Sequence, residues 1–355
     1  MKWPVTCSEN FFTCDKAVYK DDEYTPSLPR ITYRFFEMTG VTASSDEPVY
    51  NFMNYLEAHG VRIRDSNELL TKIAEIAKDG RENFQVISDF DKTLTPQWLR
   101  DPCSKTGALR KCHASHGVIE TSEYVTPEYA KHTRQLADYY MPLEHDVTLS
   151  REEKTKVCED WYHKAHACML DEHLTEAKLD KIVETCWSNM EIHLRDKTKD
   201  LVKACSVHEI PVTVLSAGLA DVIERILRLE SVYDTGDQIV VGNRMLFEPD
   251  GRHFGFSEPV IHALNKRGAL TDSILQCDIR ASRKNALLMG DLIEDVNFVH
   301  SIPHLSQYIA IGFLADGPDH EKRLDEYLKH FDIVVVGGSA SMTIPLELIN
   351  ALFVC

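Results

Sequence analysis

The stretch Val86-Ile87-Ser88-Asp89-Phe90-Asp91-Lys92-Thr93-Leu94-Thr95 decides how the chain is read. A short apolar run at 84–87 (FQVI) leads directly toward two aspartates. In open α/β sheets ligands gather at the carboxyl ends of the strands, so both carboxylates fall where chemistry is expected. Two residues apart, they leave an extended backbone on the same side. One can attack an electrophile while the other handles a proton, and carboxylates are nucleophiles toward phosphoryl groups. Alone, an Asp-x-Asp more often ends a strand in a solvated turn.

Two further strand ends shift that balance. The run at 212–215 enters Ser216-Ala217-Gly218, and a helix is expected from Leu219 onward. Ser216 and its neighbouring N–H groups can then hold an anion, although a plain helix cap would look the same. The run at 287–290 ends in Asp291, followed by Asp295. Asp291 suits a hard cation beside Asp89, since Mg²⁺ favours one or two carboxylates completed by phosphate and water. Together, three strand ends supplying Asp-x-Asp, Ser and Asp point to phosphoryl chemistry.

Working outward, short β-branched runs recur at 84–87, 211–215, 286–289, 308–313 and 333–336. Runs this short and apolar fit strands buried on both faces. Helical stretches such as 220–229 and 321–330 separate them, which implies a parallel sheet with helices on both sides. The interval from Thr95 to Asp200 shows helical periodicity at 127–140, 151–170 and 174–190, and no convincing strand. The expected fold class is therefore α/β, a Rossmann-like core at 66–99 and 200–355 with a helical cap inserted at 100–199. Residues 1–65, rich in turn formers, read as an irregular extension.

Composition narrows the function classes. At 355 residues the chain can bury a large core, and 43% hydrophobic with 27% charged residues is ordinary for a globular protein. Lys and Arg total 39 against 56 Asp and Glu, so the formal charge is 39 − 56 = −17. That balance argues against a nucleic-acid polymer as partner, because backbone phosphates attract basic surfaces. A small anionic substrate needs only a local positive site and a metal. No run of about 18 apolar residues suggests a spanning helix. The ten cysteines form no Cys-x-x-Cys pair, which fits reduced thiols in a cytoplasmic compartment. None of the sixteen histidines has zinc-motif spacing.

Asp89-Phe90-Asp91-Lys92-Thr93-Leu94-Thr95, Ser216, a lysine and Gly290-Asp291 with Asp295 resemble the motifs of the haloacid-dehalogenase superfamily. DWYHKAH (160–166), IPVTVLSAGLADVIE (210–224) and VIHALNKRGAL (260–270) narrow the resemblance to the cytosolic 5′-nucleotidase III family. Those are pyrimidine and 7-methylguanosine-phosphate nucleotidases, and the likeness runs from about Asn67 to the C-terminus. It implies a haloacid-dehalogenase-type core with an inserted cap and assigns Lys266 as the family lysine. Lys284, closer to the strand at 286–289, is the rival on position alone. The resemblance also gives Glu144, in Tyr140-Met141-Pro142-Leu143-Glu144, the task of reading the base. Trp161 and Tyr162 would stack on that base or pack the lid. Pyrimidine-preferring members carry serine where Ala165 stands, which favours the 7-methylguanosine-phosphate branch, while Tyr162 replaces a second tryptophan of that branch.

The resulting expectation is a Mg²⁺-dependent 5′-nucleotidase working through an aspartyl-phosphate. Asp89 is the nucleophile and Asp91 the acid and base. Asp89, Asp91 through its carbonyl, and Asp291 hold the metal, and Asp295 stands behind them. Ser216 and the Ala217 N–H hold the phosphoryl oxygens, and Lys266 offsets their charge. A phosphoserine-type phosphatase or a nucleoside phosphotransferase would use the same core, and a binding protein with a retired site would keep only the fold. Base preference and oligomeric state stay open.

Overall fold

The computed structural model describes residues 47–353, apart from Gly60, Cys103, Lys105, Val147, 234–237, Gln276, Cys277 and Pro318. In chain order its strands are β1 (Arg62–Ile63), β2 (Phe84–Ser88), β3 (Trp98–Arg100), β4 (Leu109–Lys111), β5 (Val212–Leu219) and β6 (Gln238–Asn243). They continue with β7 (Met245–Phe247), β8 (His253–Phe256), β9 (Asn285–Gly290), β10 (Gln307–Leu314) and β11 (Ile333–Val336). Seven of them join in one sheet, ordered β1-β11-β10-β9-β2-β5-β6. Every pairing is parallel except that of the short β1 with β11. All five apolar runs of the sequence are strands of this sheet.

The strand order positions the site. β2 lies between β5 and β9, so the three strands that end in Asp89, Ser216 and Asp291 are immediate neighbours with their C-termini at one edge. Every residue of β2 and β9 is buried, as the continuous apolar pattern requires of a central parallel strand. Ile87, Leu215, Leu288, Ala310 and Val334 from five adjacent strands meet Leu270, Phe298, Tyr327 and Phe331 in one core cluster.

Between β2 and β5 the helices Ser115–Glu120, Pro127–Glu144, Arg151–Asp171 and Glu176–Ser188 build the expected cap. Their starts are legible chemically. Thr126 accepts from the Tyr129 N–H, Ser150 and Glu153 form a reciprocal capping box, and Thr175 accepts from the Lys178 N–H.

Several expectations need correction. The interval 95–200 does hold strands: β3 and β4 pair antiparallel, Trp98 opposite Lys111. Each has three residues with charged members, too short to show a period. β5 runs on to Leu219, with a register shift between Leu215 and Leu219, and the helix starts only at Ala220. Ser216 is therefore part of an irregular strand end, not a helix cap. The edge strand β6 and the hairpin β7–β8 were not anticipated. In β6 buried and half-buried positions mix, so no clean run marks it. Of the stretch read as irregular, residues 1–46 lie outside the described residues, but Glu47–Ala58 is a helix and Arg62 pairs with Val334.

Asp332, just before β11, ties that N-terminal segment to the sheet. It accepts from Arg64 at 2.6 Å, from Lys72 at 2.9 Å and from the Ala310 N–H at 2.9 Å, and it is almost fully buried. Removing one member of a buried pair strands the other charge. Asp332→Ala is expected to cost about 3–5 kcal/mol of stability, read as a lower urea midpoint, and Asp332→Asn less.

Candidate active site

Past Ser88 the backbone is extended at Asp89 (φ −66°, ψ 164°) and then enters a single tight turn, Phe90–Leu94, in which Asp91 (φ −69°, ψ 122°) and Lys92 (φ 63°) depart from helical angles. The Asp89 N–H still donates to the Met289 carbonyl at 2.9 Å, as if β2 had one more rung. Asp89 therefore stands at the strand end and Asp91 inside the turn, so the expectation of one continuous extended run through both does not hold.

Lys266, the first residue of its helix, reaches the same point from 177 positions away. Its ammonium donates to Asp89 Oδ1 at 2.7 Å and to Asp295 Oδ1 at 3.3 Å, with all three side chains buried. Burial alone would lower the Lys266 pKa, but Asp295 and Asp89 outweigh it and hold the ammonium charged. The rival Lys284 pairs instead with Asp79 at 3.1 Å, on the residue before β9 and so at the opposite end of the sheet.

Asp291 completes the cluster. One carboxylate oxygen each from Asp89, Asp291 and Asp295 lies within 4.8 Å of the others. Burial, then the Asp89 charge, pushes Asp291 well above the usual carboxylate range, and burial raises Asp295 to about 6 against the pull of Lys266. Lys92 stands off at 3.7 Å from Asp291. Three oxygen donors with a surplus of negative charge, two of them resisting ionisation, are what a hard divalent cation would relieve. Asp295 can approach only because residue 290 is glycine: a Cβ there would lie 2.4 Å from Asp295 Cβ.

Asp91 faces the cap. It accepts from the Ser115 N–H and the Ser115 hydroxyl, both at 2.9 Å. Burial and then the Asp89 charge raise its pKa to about 6, with the Ser115 donors opposing. Ser115 in turn rests against the β5 end, where a Cβ on Gly218 would fall 1.8 Å from its hydroxyl. Ser216 is buried beside it and accepts from the Gly218 N–H at 3.0 Å. The Ala217 carbonyl is held by Asn243, which also grips both backbone groups of Ile261 on the approach to Lys266.

Three residues here gave no signal in the sequence. Ser115 and Asn243 are single polar residues without a motif. Arg195 donates to the carbonyls of Lys92 at 2.7 Å, Thr93 at 2.8 Å and Ala340 at 2.7 Å, so a buried guanidinium clamps the turn after the aspartates.

On the cap side a cavity of about 430 Å³ opens from Asp91 and Lys92. Trp161, Tyr162 and Ala165 line it from one helix, Thr133, Ala137 and Met141 from another, and His116, Gly117 and Glu120 from a third. Burial lowers His116 to about 4, so it is neutral near pH 7. Glu144, the expected base reader, is the last residue of its helix and is not among the described lining residues. Its carboxylate lies 3.8 Å from Cys158 Sγ and 3.9 Å from His145.

Comparison with known proteins gives the family. The family model for pyrimidine 5′-nucleotidase (UMPH-1) matches residues 104–353. The 7-methylguanosine phosphate-specific 5′-nucleotidase A of Xenopus laevis is 32% identical over 276 residues, covering 78% of this chain and 90% of that protein. The human 7-methylguanosine phosphate-specific 5′-nucleotidase is 28% identical over 275 residues, covering 78% and 87%. A crystal structure of cytosolic 5′-nucleotidase IIIB bound to cytidine superposes with a TM-score of 0.71 at 28% identity, covering 82% of this chain and 93% of that one.

The carboxylate cluster yields a test by melting. Asp291→Asn relieves the crowding among three clustered acids, so the cation-free variant should melt higher than the parent. Addition of Mg²⁺ should raise the parent's melting temperature by at least about 2 °C, the shift of a 1 kcal/mol change in a chain this large. The variant should lose most of that response.

Proposed function

The chain belongs to the pyrimidine 5′-nucleotidase (UMPH-1) family, and on that premise we propose that it hydrolyses nucleoside 5′-monophosphates, pyrimidine or 7-methylguanosine, at Asp89. The observation that carries the reading is the buried Lys266–Asp89–Asp295 contact beside Asp291, at the edge where three strands end.

In this reading an Asp89 carboxylate oxygen attacks phosphorus and the bond to the 5′-oxygen breaks. The Asp91 carboxyl gives its proton to that oxygen, and the nucleoside leaves. Asp91, now a carboxylate, takes a proton from water, whose oxygen attacks phosphorus and releases Asp89 and inorganic phosphate. A carboxyl raised to about 6 suits both halves, since each protonation state is accessible near neutrality. Ser115 orients the Asp91 carboxyl by donating to both of its oxygens. The Lys266 ammonium offsets the charge gathered on Asp89 and the phosphoryl oxygens, and Ser216 with the Ala217 N–H receives those oxygens.

Mg²⁺ fits the donor set of Asp89, Asp291 and the Asp91 carbonyl, with Asp295 behind, and would supply charge neutralisation for the phosphoryl group. The base is received in the cap cavity between Trp161, Tyr162 and Ala165. A cytoplasmic setting is supported by the free thiols of Cys112, Cys158, Cys168, Cys186 and Cys205, and no helix among the described residues is long and apolar enough to cross a membrane.

A panel of CMP, UMP, 7-methyl-GMP and phosphoserine, with added acceptor nucleoside and EDTA controls, tests substrate class and phosphotransfer together. Asp89→Asn should lower kcat by at least about 10³-fold, as loss of a covalent nucleophile does, with KM little changed. Phosphate release that survives this change, or that exceeds the nucleotide rates with phosphoserine, would rule the reading out.

A further inference from the structure

Lys92 follows the acid–base aspartate directly and takes no part in the mechanism above. Its φ of 63° lies in the left-handed region, which glycine occupies freely and a residue with a side chain does not. The backbone is pinned there all the same. Its N–H donates to Thr95 Oγ1 at 2.9 Å, and its carbonyl accepts from Arg195 at 2.7 Å. The side chain is not pinned. It is 51% exposed, and the residue lines the cap cavity beside Asp91. Among the described residues its ammonium faces one carboxylate, Asp291, at 3.7 Å, beyond hydrogen-bond length. Lys266 differs on each count, being buried and hydrogen-bonded to Asp89 at 2.7 Å.

We propose that Lys92 is a second phosphate-binding residue, whose ammonium leaves Asp291 for the phosphoryl oxygens once a divalent cation engages that carboxylate. This rests on the nucleotidase reading and deepens it by adding a substrate-binding group. One oxygen each of Asp89 and Asp291 lie within 4.8 Å of one another. A phosphoryl group seated at Asp89 therefore stands within a short swing of the ammonium. Lysine suits that swing, with a flexible four-carbon stem and a head that binds phosphate as a point charge. A cation on Asp291 repels the ammonium, and a phosphoryl dianion attracts it. A permanent pair with Asp291 would contribute little, because a long, half-exposed ion pair is worth little. The two lysines thus divide the work. Lys266 cannot move without stranding buried carboxylates, whereas Lys92 is free to follow substrate in and product out. Before substrate arrives, Lys92 partly neutralises Asp291 and so holds cation affinity down. Loss of the ammonium should move phosphate and cation affinity in opposite directions.

The test is calorimetric, on the parent, Lys92→Gln and Lys92→Arg, titrating Mg²⁺ alone and then inorganic phosphate in saturating Mg²⁺. Lys92→Gln should weaken phosphate binding about 10-fold, the low end for a charge-assisted hydrogen bond. It should tighten Mg²⁺ binding about 2- to 5-fold, the worth of an exposed ion pair. Lys92→Arg, which keeps the charge, should stay near the parent in both titrations. With CMP, UMP and 7-methyl-GMP the KM of Lys92→Gln should rise and kcat change less, as when an interaction common to ground and transition states is lost. Thermal melting identifies a variant that has not folded, and Lys92→Met then takes its place. Unchanged phosphate affinity in Lys92→Gln overturns the proposal. So does a loss of Mg²⁺ affinity alongside that of phosphate, which marks a disturbed carboxylate cluster and not a missing ammonium. A parent that releases no phosphate from any of the nucleotides overturns the nucleotidase reading itself, and the titrations still decide the role of Lys92.

Discussion

One ammonium among three clustered carboxylates, two of them buried, is the constraint on which the site depends. Lys266 is within hydrogen-bond reach of Asp89 and Asp295, and Asp291 stands near both. Taking ions out of water is expensive unless partners return the lost solvation. Lys266 returns part of it and leaves the cluster short of positive charge, which is the condition under which a divalent cation binds. The geometry follows from topology. β2 runs between β5 and β9 so that their ends converge, and Gly290 leaves space for Asp295 to close in. A helix far along the chain then brings the lysine.

The turn that carries Asp91 is held from outside the core. Arg195, in the segment that leads out of the cap, grips three carbonyls around it, and Ser115, from the first cap helix, grips the Asp91 carboxylate. Gly218 has no side chain because the Ser115 hydroxyl occupies that space. Cap and core are therefore joined at Asp91 as well as along the chain, and the position of Asp91 depends on contacts from both ends of the inserted segment.

How much of this could be read from the sequence depended on how local each signal was. The central strands were legible because burial on both faces makes them continuously apolar, and their polar ends were legible because each follows such a run. Lys266 was separated from Lys284 only by family resemblance. Nothing local tells a lysine opening a helix from one preceding a strand, and the contact that decides spans 177 positions. The edge strand β6 and the three-residue strands β3 and β4 were missed because short or half-exposed segments need no distinctive pattern. Arg195 and Asn243 act on backbone groups remote in sequence, and such work leaves no motif behind.

The same limit explains why base recognition is harder to read than the chemistry. The carboxylate cluster is built from strand termini of the core, where each side chain's place is fixed by sheet register. The cap cavity is lined by three helices, and which side chains face it depends on how those helices turn about their axes. Glu144 was drawn from a local likeness of sequence; its carboxylate at a helix terminus lies near Cys158, and its charge, after burial, is what raises the pKa of Tyr162 in the cavity wall. Glu120 has no motif to mark it. It shares a short helix with Ser115, and a helix fixes the spacing of what it carries, so its carboxylate in the cap cavity and the serine that holds Asp91 keep one separation.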